Sequence, residues 1–134
     1  MNKPIEKSRL IALNRNKILV LEKKGLPKRL TLAGGIIKKN ESLKKGLVRE
    51  VNEEIGVKLK KKQLRYFSSH SKQLDNSSLI KHYFVINGEI KNYELLEPDK
   101  FSSIYWLEWH EAIKFMDKLD GKAVKRLLKE HAQI

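Results

Sequence analysis

The sequence contains no cysteine, only three prolines and two methionines among its 134 residues, and no long apolar run. The absence of cysteine excludes disulfide bonds and thiolate metal sites. No apolar stretch approaches ~18 residues, the length of a transmembrane helix, so we expect no membrane span. Residues 1–6 also lack the apolar segment of a signal peptide. We therefore expect a cytoplasmic protein.

Acidic residues are scarce relative to basic ones. The chain has 16 Asp and Glu against 29 Lys and Arg, which gives a formal net charge of +13. Such a balance favours anionic partners, either nucleic acid or a small polyphosphate. The lysines are spread along the chain, which is also typical of a solvated surface without a specific partner. The length and the 40% hydrophobic content predict one domain, residues 1–134, acting as a monomer or homodimer.

Apolar periodicity predicts the element order β-β-β-α-β-β-β-α, an α/β fold. We expect strands at residues 9–13, 17–21, 30–37, 64–70, 79–86 and 104–107, and a short strand at 89–91. The first two strands should form a hairpin around residues 14–16, because asparagine tolerates the backbone angles of a tight turn. Later helices are expected at 109–119 and 121–131.

The helix predicted at residues 43–55 has clear ends and one apolar side. Asn40 or Ser42 can cap its first turn, because a short side-chain oxygen accepts a hydrogen bond from an unpaired backbone N–H. Gly56 is suited to end it. Apolar residues recur every four positions, which makes a slowly drifting stripe of Leu43, Leu47, Val51 and Ile55.

Three carboxylates lie next to that stripe. At ~100° per residue, Glu50, Glu53 and Glu54 share one arc of the helix, and Gly46 leaves the arc uncrowded one turn earlier. Like charges three or four residues apart destabilise a helix by a few tenths of a kcal/mol per pair. A divalent cation reverses that effect, since Mg²⁺ prefers hard oxygen ligands. The alternative is an acidic, solvated helix face.

The spacing around these carboxylates distinguishes the two interpretations. Residues 35–57 fit the pattern G-x5-E-x7-R-E-U-x-E-E-x-G-U, U being aliphatic, at Gly35, Glu41, Arg49, Glu50, Val51, Glu53, Glu54, Gly56 and Val57. At typical residue frequencies the chance of such a match is far below roughly one in a million. This pattern is the signature of the Nudix hydrolases, and the chain resembles that family.

The resemblance implies an α/β/α sandwich, with a mixed sheet between helices, and a known chemistry. Nudix hydrolases cleave a P–O–P bond in a nucleoside diphosphate linked to another group, with Mg²⁺ or Mn²⁺ as cofactor. The resemblance implies that Glu50, Glu53 and Glu54 are metal ligands, and that the carbonyl of Gly35 reaches the metal. Glu50 is the expected general base, because water must lose a proton and some relatives use a glutamate of this motif.

Other polar residues have supporting roles under the same resemblance. Glu41 is expected behind the ligands, and Arg49 can fix a glutamate by a charge-assisted hydrogen bond. A later loop often supplies one more acid in this family, and the candidates here are Glu94, Glu97 and Asp99, although a surface role suits each. His70 and His82 form no constellation, and we expect Tyr66, Tyr83, Phe84 and Trp106 in the core.

The substrate is not encoded in the motif. Two subfamily markers downstream of the motif are missing. The position of the proline associated with ADP-ribose holds Lys72, and the positions of the tyrosine associated with dinucleoside polyphosphates are residues 73–75, which contain no tyrosine. A small nucleotide such as a nucleoside triphosphate is the expected substrate. Two alternatives stay open: an RNA 5′-end pyrophosphohydrolase, favoured by the charge of +13, and a nucleotide-sensing domain without catalysis.

Overall fold

The computed structural model describes residues 3–88 and 90–132, and these are built around one mixed β-sheet. Its strands are β1 Ile5–Asn14, β2 Lys17–Lys23, β3 Leu30–Thr31, β4 Ala33–Ile36, β5 Arg65–Gln73, β6 Ser78–Asn87 and β7 Phe101–Glu108. The main order is β3-β2-β1-β6-β5, with β4 paired to β1 and β7 to β2. Strands β1 and β6 run parallel, and the other pairs are antiparallel.

Helices cover both faces of the sheet. The helix α1, Leu43–Ile55, packs on one face, where its apolar stripe joins Leu10, Leu21 and Phe84. The helices α2, Trp109–Ile113, and α3, Lys118–Ala132, pack on the other face against alternate residues of the same strands. The prediction of an α/β/α fold with a mixed sheet is therefore confirmed. No helix in the described ranges is long and apolar enough to cross a membrane.

Three predicted elements were wrong in detail. The strand expected at 30–37 is two short strands, β3 and β4, that pair with different neighbours on either side of Leu32. The helix expected at 109–119 ends at Ile113, and the next helix begins at Lys118. Of the short strand expected at 89–91, residue 89 lies outside the described residues, and 90–91 are not in a strand.

The start of α3 is fixed by Asp117. Its Oδ1 accepts a hydrogen bond from the backbone N–H of Asp120 at 2.9 Å, as a helix N-cap does. Lys81 of β6 donates to Asp117 Oδ2 at 2.6 Å and to Asp120 Oδ1 at 3.2 Å. Tyr83 donates to the same Asp120 oxygen at 2.6 Å. Because Lys81 and Asp120 are buried, this network ties the first turn of α3 firmly to β6.

Candidate active site

Helix α1 carries the predicted site residues and has the predicted ends. The side chain of Ser42 caps it by accepting from Lys45 N at 3.1 Å, so Ser42 rather than Asn40 is the N-cap. Gly56 ends it in the left-handed conformation, with φ of 70°, where a residue without Cβ is favoured. The segments around this helix then give its three carboxylates very different surroundings.

Glu54 is the buried carboxylate of the site. Only 7% of the residue is exposed, and its Oε1 accepts a hydrogen bond from Gly34 N of β4 at 2.7 Å. Burial, which disfavours the charged form, raises the pKa of Glu54 to about 7, and the nearby Glu50 and Glu97 charges add to this. The bond from Gly34 and the Arg9 charge act in the opposite direction. Glu54 is therefore a buried carboxyl group whose charged form is disfavoured chiefly by burial.

Glu50 lies directly beneath Gly35. A Cβ on Gly35 would come within 2.5 Å of the Glu50 carboxyl carbon and 2.6 Å of its Oε2. The glycine thus leaves the space that this carboxylate occupies. The other oxygen, Oε1, accepts from Arg49 Nη1 at 3.0 Å. Gly35 therefore permits a close approach that a Cβ would forbid, and the structure identifies Glu50 as the group that approaches.

Arg49 connects the other acids of the motif. It donates from Nε and Nη2 to the two oxygens of Glu41, at 2.8 and 3.0 Å, and from Nη2 to Ile36 O at 3.2 Å. Its Nη1 also reaches Glu53 at 3.4 Å. Arg49 and the backbone N–H of Lys38 hold the pKa of Glu41 down to about 2, and Glu41 in turn raises the pKa of Arg49. Arg49 therefore positions carboxylates, as its charge and place in the motif predicted.

The structure divides the predicted metal ligands into two groups. Gly35, Glu50 and Glu54 line one cavity of about 310 Å³, whereas Glu53 lies outside it with 53% of its side chain exposed. Within residues 3–88 and 90–132, no three acidic or histidine side chains converge closely enough to hold a metal ion by themselves. The three glutamates lie on one helix, but Glu54 is buried whereas Glu50 and Glu53 contact Arg49, so their surroundings differ.

Four basic side chains from distant segments also line this cavity. Lys7 and Arg9 come from β1, Lys23 from the end of β2, and Lys100 from the loop before β7. Arg9 also donates to the carbonyls of Leu32 and Gly34 at 3.2 and 3.0 Å, which fixes the glycine segment. None of these four cations was predicted as a site residue from the sequence. A signal existed for two of them, since Lys7 and Arg9 occupy alternate positions of one strand.

A second, smaller cavity adjoins the first. It has a volume of about 170 Å³ and shares Lys23 and Thr31 with the larger one. Its other walls are partly apolar and are formed by Arg29, Leu30, Phe115, Met116 and Asp117. The first cavity is therefore highly charged, and the second, which adjoins it, is less polar.

Among the late-loop acids, Glu97 lies nearest to the site. Its charge raises the pKa of Glu54, and its carboxylate pairs with Lys100 at 3.2 Å. The loop is held against the end of α1, where Leu96 N donates to Glu54 O at 3.2 Å and Glu94 N to Ile55 O at 2.9 Å. The side chains of Glu94 and Asp99 are exposed. Of these three acids, Glu97 is the one that contributes to the raised pKa of Glu54.

His70 and His82 make their contacts with residues that do not line the cavity. His82 bonds to Tyr66 and Glu6, each at 3.0 Å, and His70 packs edge-on against Tyr83. Tyr83 and Phe84 are buried as expected, but Tyr66 is 45% exposed, so its prediction as a core residue was wrong.

Comparison with known proteins identifies the class of this arrangement. A family model described as the NUDIX domain matches residues 6–128, so the chain belongs to the Nudix family. It is accordingly a Nudix pyrophosphohydrolase, an enzyme that cleaves pyrophosphate bonds in nucleotide-linked substrates. No curated protein matches the chain significantly in sequence.

Solved structures share its fold at low identity. The solution structure of the E. coli ORF135 protein superimposes with a TM-score of 0.80 at 21% identity, covering 98% of this chain and 93% of that one. A MutT NUDIX hydrolase from Burkholderia pseudomallei gives 0.79 at 16%, covering 92% and 98%. A C. elegans Ap4A hydrolase gives 0.73 at 18%, covering 97% and 99%. At these identities the likeness shows the fold alone.

The donor set suits the divalent cation that Nudix hydrolases generally need. Carboxylate and carbonyl oxygens are hard ligands of the kind that Mg²⁺ and Mn²⁺ accept. The ionised form of Glu54 is disfavoured by burial and by Glu50, and a cation would relieve both effects. Since Glu50 and Glu54 are the only carboxylates that line the cavity among the described residues, a bound ion would keep positions for water and phosphate oxygens.

The contact between Gly35 and Glu50 gives a first prediction. In Gly35→Ala the new Cβ displaces the Glu50 carboxylate, the flexible end of a side chain, so the protein should fold with a small change in melting temperature. We expect kcat to fall at least about tenfold, since misplacement by about 1 Å is enough for large losses. Steady-state kinetics and thermal melts measure both.

The matched control is Gly121→Ala, where an added Cβ meets nothing closer than 3.9 Å. That exchange should leave kcat unchanged. If Gly35→Ala also kept full activity, the steric role assigned to Gly35 would be wrong.

Proposed function

We propose that the protein hydrolyses a P–O–P bond of a small nucleotide, such as a nucleoside triphosphate, with Mg²⁺ or Mn²⁺. One observation carries this proposal: the larger cavity is lined by Glu50 and Glu54 and also by four basic side chains. A metal-bound polyphosphate carries charges of both signs, so the cation can bind the carboxylates while the phosphates bind the basic side chains.

The volumes agree with a small substrate. The larger cavity, of about 310 Å³, lies at the lower end of the range of about 300–1,000 Å³ for ligand pockets. The second cavity, with Phe115, Met116 and Leu30 beside Asp117, offers apolar contact and a hydrogen-bond acceptor. We propose that the phosphates occupy the first cavity and the nucleoside extends toward the second.

The proposed ligands follow the geometry. Glu50, Glu54 and the Gly35 carbonyl would hold the ion from inside the cavity, and Glu53 would act from the rim. Glu97 is the proposed further ligand, because its charge acts on Glu54. The bound ion would supply Lewis-acid stabilisation of charge on the phosphate and the leaving group.

The remaining chemistry is assigned to the side chains of the chain. Glu50 accepts the proton of the attacking water through Oε2, because Arg49 engages its Oε1. Arg49 is a positioning residue that aligns Glu50 and Glu53. Lys23, Lys100 and Arg9 bind phosphate oxygens, and Arg9 also fixes Gly34 through its carbonyl.

Proteins of similar fold act on compatible compounds. Two of them are named as an Ap4A hydrolase from C. elegans and a dihydroneopterin triphosphate pyrophosphohydrolase from E. coli. Both names describe compounds with a polyphosphate attached to a ring system. They support a substrate of this general kind for the present protein.

The test is release of phosphate and pyrophosphate from a panel of nucleoside triphosphates and other nucleoside diphosphate derivatives. We expect turnover of one compound class with Mg²⁺ or Mn²⁺ and none with EDTA. Turnover that persists in EDTA would contradict the metal dependence. Saturable nucleotide binding without turnover across the panel would favour the non-catalytic sensing domain instead.

A second candidate function, hydrolysis at the 5′ end of RNA, is supported by basic residues on α3 that begin next to Asp117. Its test is pyrophosphate release from a 5′-triphosphate RNA oligonucleotide, measured beside the free nucleoside triphosphates. Preference for the free nucleotides by more than about tenfold would exclude it.

A further inference from the structure

Four lysines form a row along the exposed side of α3. Lys118, Lys122, Lys125 and Lys129 are all exposed, and at ~100° per residue they fall within an arc of about 60°. The row has one lysine for roughly each helical turn of ~5.4 Å and is about 16 Å long. With Arg126, these residues are called the α3 basic surface.

The positive charge of this row is not neutralised by neighbouring acids. None of the four lysines forms an ion pair with any residue that the structure describes. A depression of about 360 Å³ between the side chains is lined by Lys122, Lys125, Arg126, Lys129 and Glu130. Glu130 is engaged by Arg126 at 3.3 Å. Like charges one turn apart destabilise a helix. An anionic partner bound along the row would reduce this repulsion.

One aromatic ring, that of Phe67, lies against Arg126 at the edge of the row. The Arg126 guanidinium lies 5.4 Å from the centre of the half-buried Phe67 ring on β5. His70 lies on the same strand, and its pKa is lowered by burial first and by Arg126 and Lys122 next. Cations beside ring faces are typical of sites that track a strand of nucleic acid and stack its bases.

The surface begins beside the second cavity. Asp117 lines that cavity, and Lys118 is the next residue in the chain. The bonds from Lys81 to Asp117 and Asp120 fix this end of the helix against β6. A chain of nucleotides running out of the second cavity would therefore meet the lysines in order along the helix.

We propose that the α3 basic surface binds the phosphate backbone of a single-stranded nucleic acid. A row one residue wide follows one backbone, whereas a duplex presents two. Regular spacing of charge along about 16 Å fits a polymer with repeated phosphates better than a single phosphate group. This binding does not depend on hydrolysis, because the surface lies outside the cavity that holds Glu50 and Glu54.

The test compares two charge-reversed variants of the full chain. Lys122→Glu with Lys125→Glu and Lys129→Glu alters the α3 basic surface. The control, Lys58→Glu with Lys61→Glu and Lys62→Glu, makes the same change of net charge at exposed residues beyond the end of α1. The probe is a fluorescein-labelled single-stranded RNA of 12 uridines with a 5′-hydroxyl, followed by fluorescence anisotropy at two salt concentrations.

We expect the α3 variant to bind the RNA at least about tenfold more weakly than wild type, and the control variant less than about threefold. Loss of three phosphate contacts should also lower the slope of log K against log salt by about 2. Both variants should hydrolyse nucleoside triphosphates at the wild-type rate, which separates this proposal from the proposed function. Circular dichroism melts verify that both fold.

Three results would overturn the proposal. Equal weakening in the two variants would assign RNA binding to net charge, and absence of binding by wild type at low salt would deny it altogether. Vesicles with 30% phosphatidylserine are measured in parallel. Vesicle binding lost in the α3 variant, with RNA binding retained, would make an acidic membrane the partner instead.

Discussion

Replacing Glu54 by glutamine is expected to lower kcat by at least about 10²–10³ at saturating Mg²⁺. The exchange keeps the size of the side chain, and its amide oxygen can still accept the hydrogen bond from Gly34 N. What is lost is one negative charge at the proposed metal site. Lewis-acid stabilisation by a metal is worth several kcal/mol, and each ~1.4 kcal/mol is tenfold in rate. Steady-state kinetics over a Mg²⁺ titration measure the effect.

The control for this exchange is Glu111→Gln, an exposed acid of α2 that pairs only with Lys114 among the described residues. It should retain wild-type kcat and the same Mg²⁺ dependence. Full activity of Glu54→Gln would remove Glu54 from the site. The variant should stay folded without metal, because glutamine replaces a group whose charged form is disfavoured by burial.

The metal-free protein should become less stable as the pH rises from about 5 to 8. Burial raises the pKa of Glu54 from its ordinary value of 4.5 to about 7 in the folded protein. The folded state therefore binds more protons than the unfolded state in this window, and the free energy of unfolding falls as the pH rises. At about 1.4 kcal/mol per pKa unit, the loss attributable to Glu54 is about 2–3 kcal/mol.

Urea unfolding in EDTA at pH 5 and pH 8 measures this loss. Wild type should lose about 2–3 kcal/mol more than Glu54→Gln between these values, because glutamine does not titrate. Glu41 does not interfere, since its pKa is lowered to about 2 and its contribution is lost only at more acidic pH. Excess Mg²⁺ at pH 8 should restore wild type but not the variant. Equal pH dependence in both proteins would contradict the burial of an ionisable Glu54.

The sequence was sufficient for those parts of the fold that depend on local patterns. The four-residue repeat from Leu43 to Ile55 and the end at Gly56 predicted α1, and of the two N-cap candidates, Asn40 and Ser42, the structure has Ser42. The junction between α2 and α3 was missed although a local signal existed. Asp117 lies at the N-cap position and accepts a hydrogen bond from the backbone N–H of Asp120, three residues later. The sequence had instead predicted that the helix begins at Gly121.

The candidate site was only partly predictable. The motif identified the acids, but their different burial depends on β4, whose Gly34 and Gly35 contact Glu54 and Glu50 from outside the helix. The basic residues of the cavity could not be predicted from their spacing in the sequence. Lys7, Lys23 and Lys100 are far apart in the chain and come together only in the folded protein. Glu97 likewise owes its place to backbone bonds between its loop and α1.

Binding of Mn²⁺ tests the metal site most directly. Electron paramagnetic resonance of free Mn²⁺, titrated with the protein at pH 7.5, counts bound ions without requiring a known substrate. We predict saturable binding by wild type and a loss of at least about tenfold in affinity when Glu50→Gln and Glu54→Gln are combined, with Glu111→Gln unchanged. Equal Mn²⁺ affinity in all three proteins would contradict the assignment of Glu50 and Glu54 as ligands.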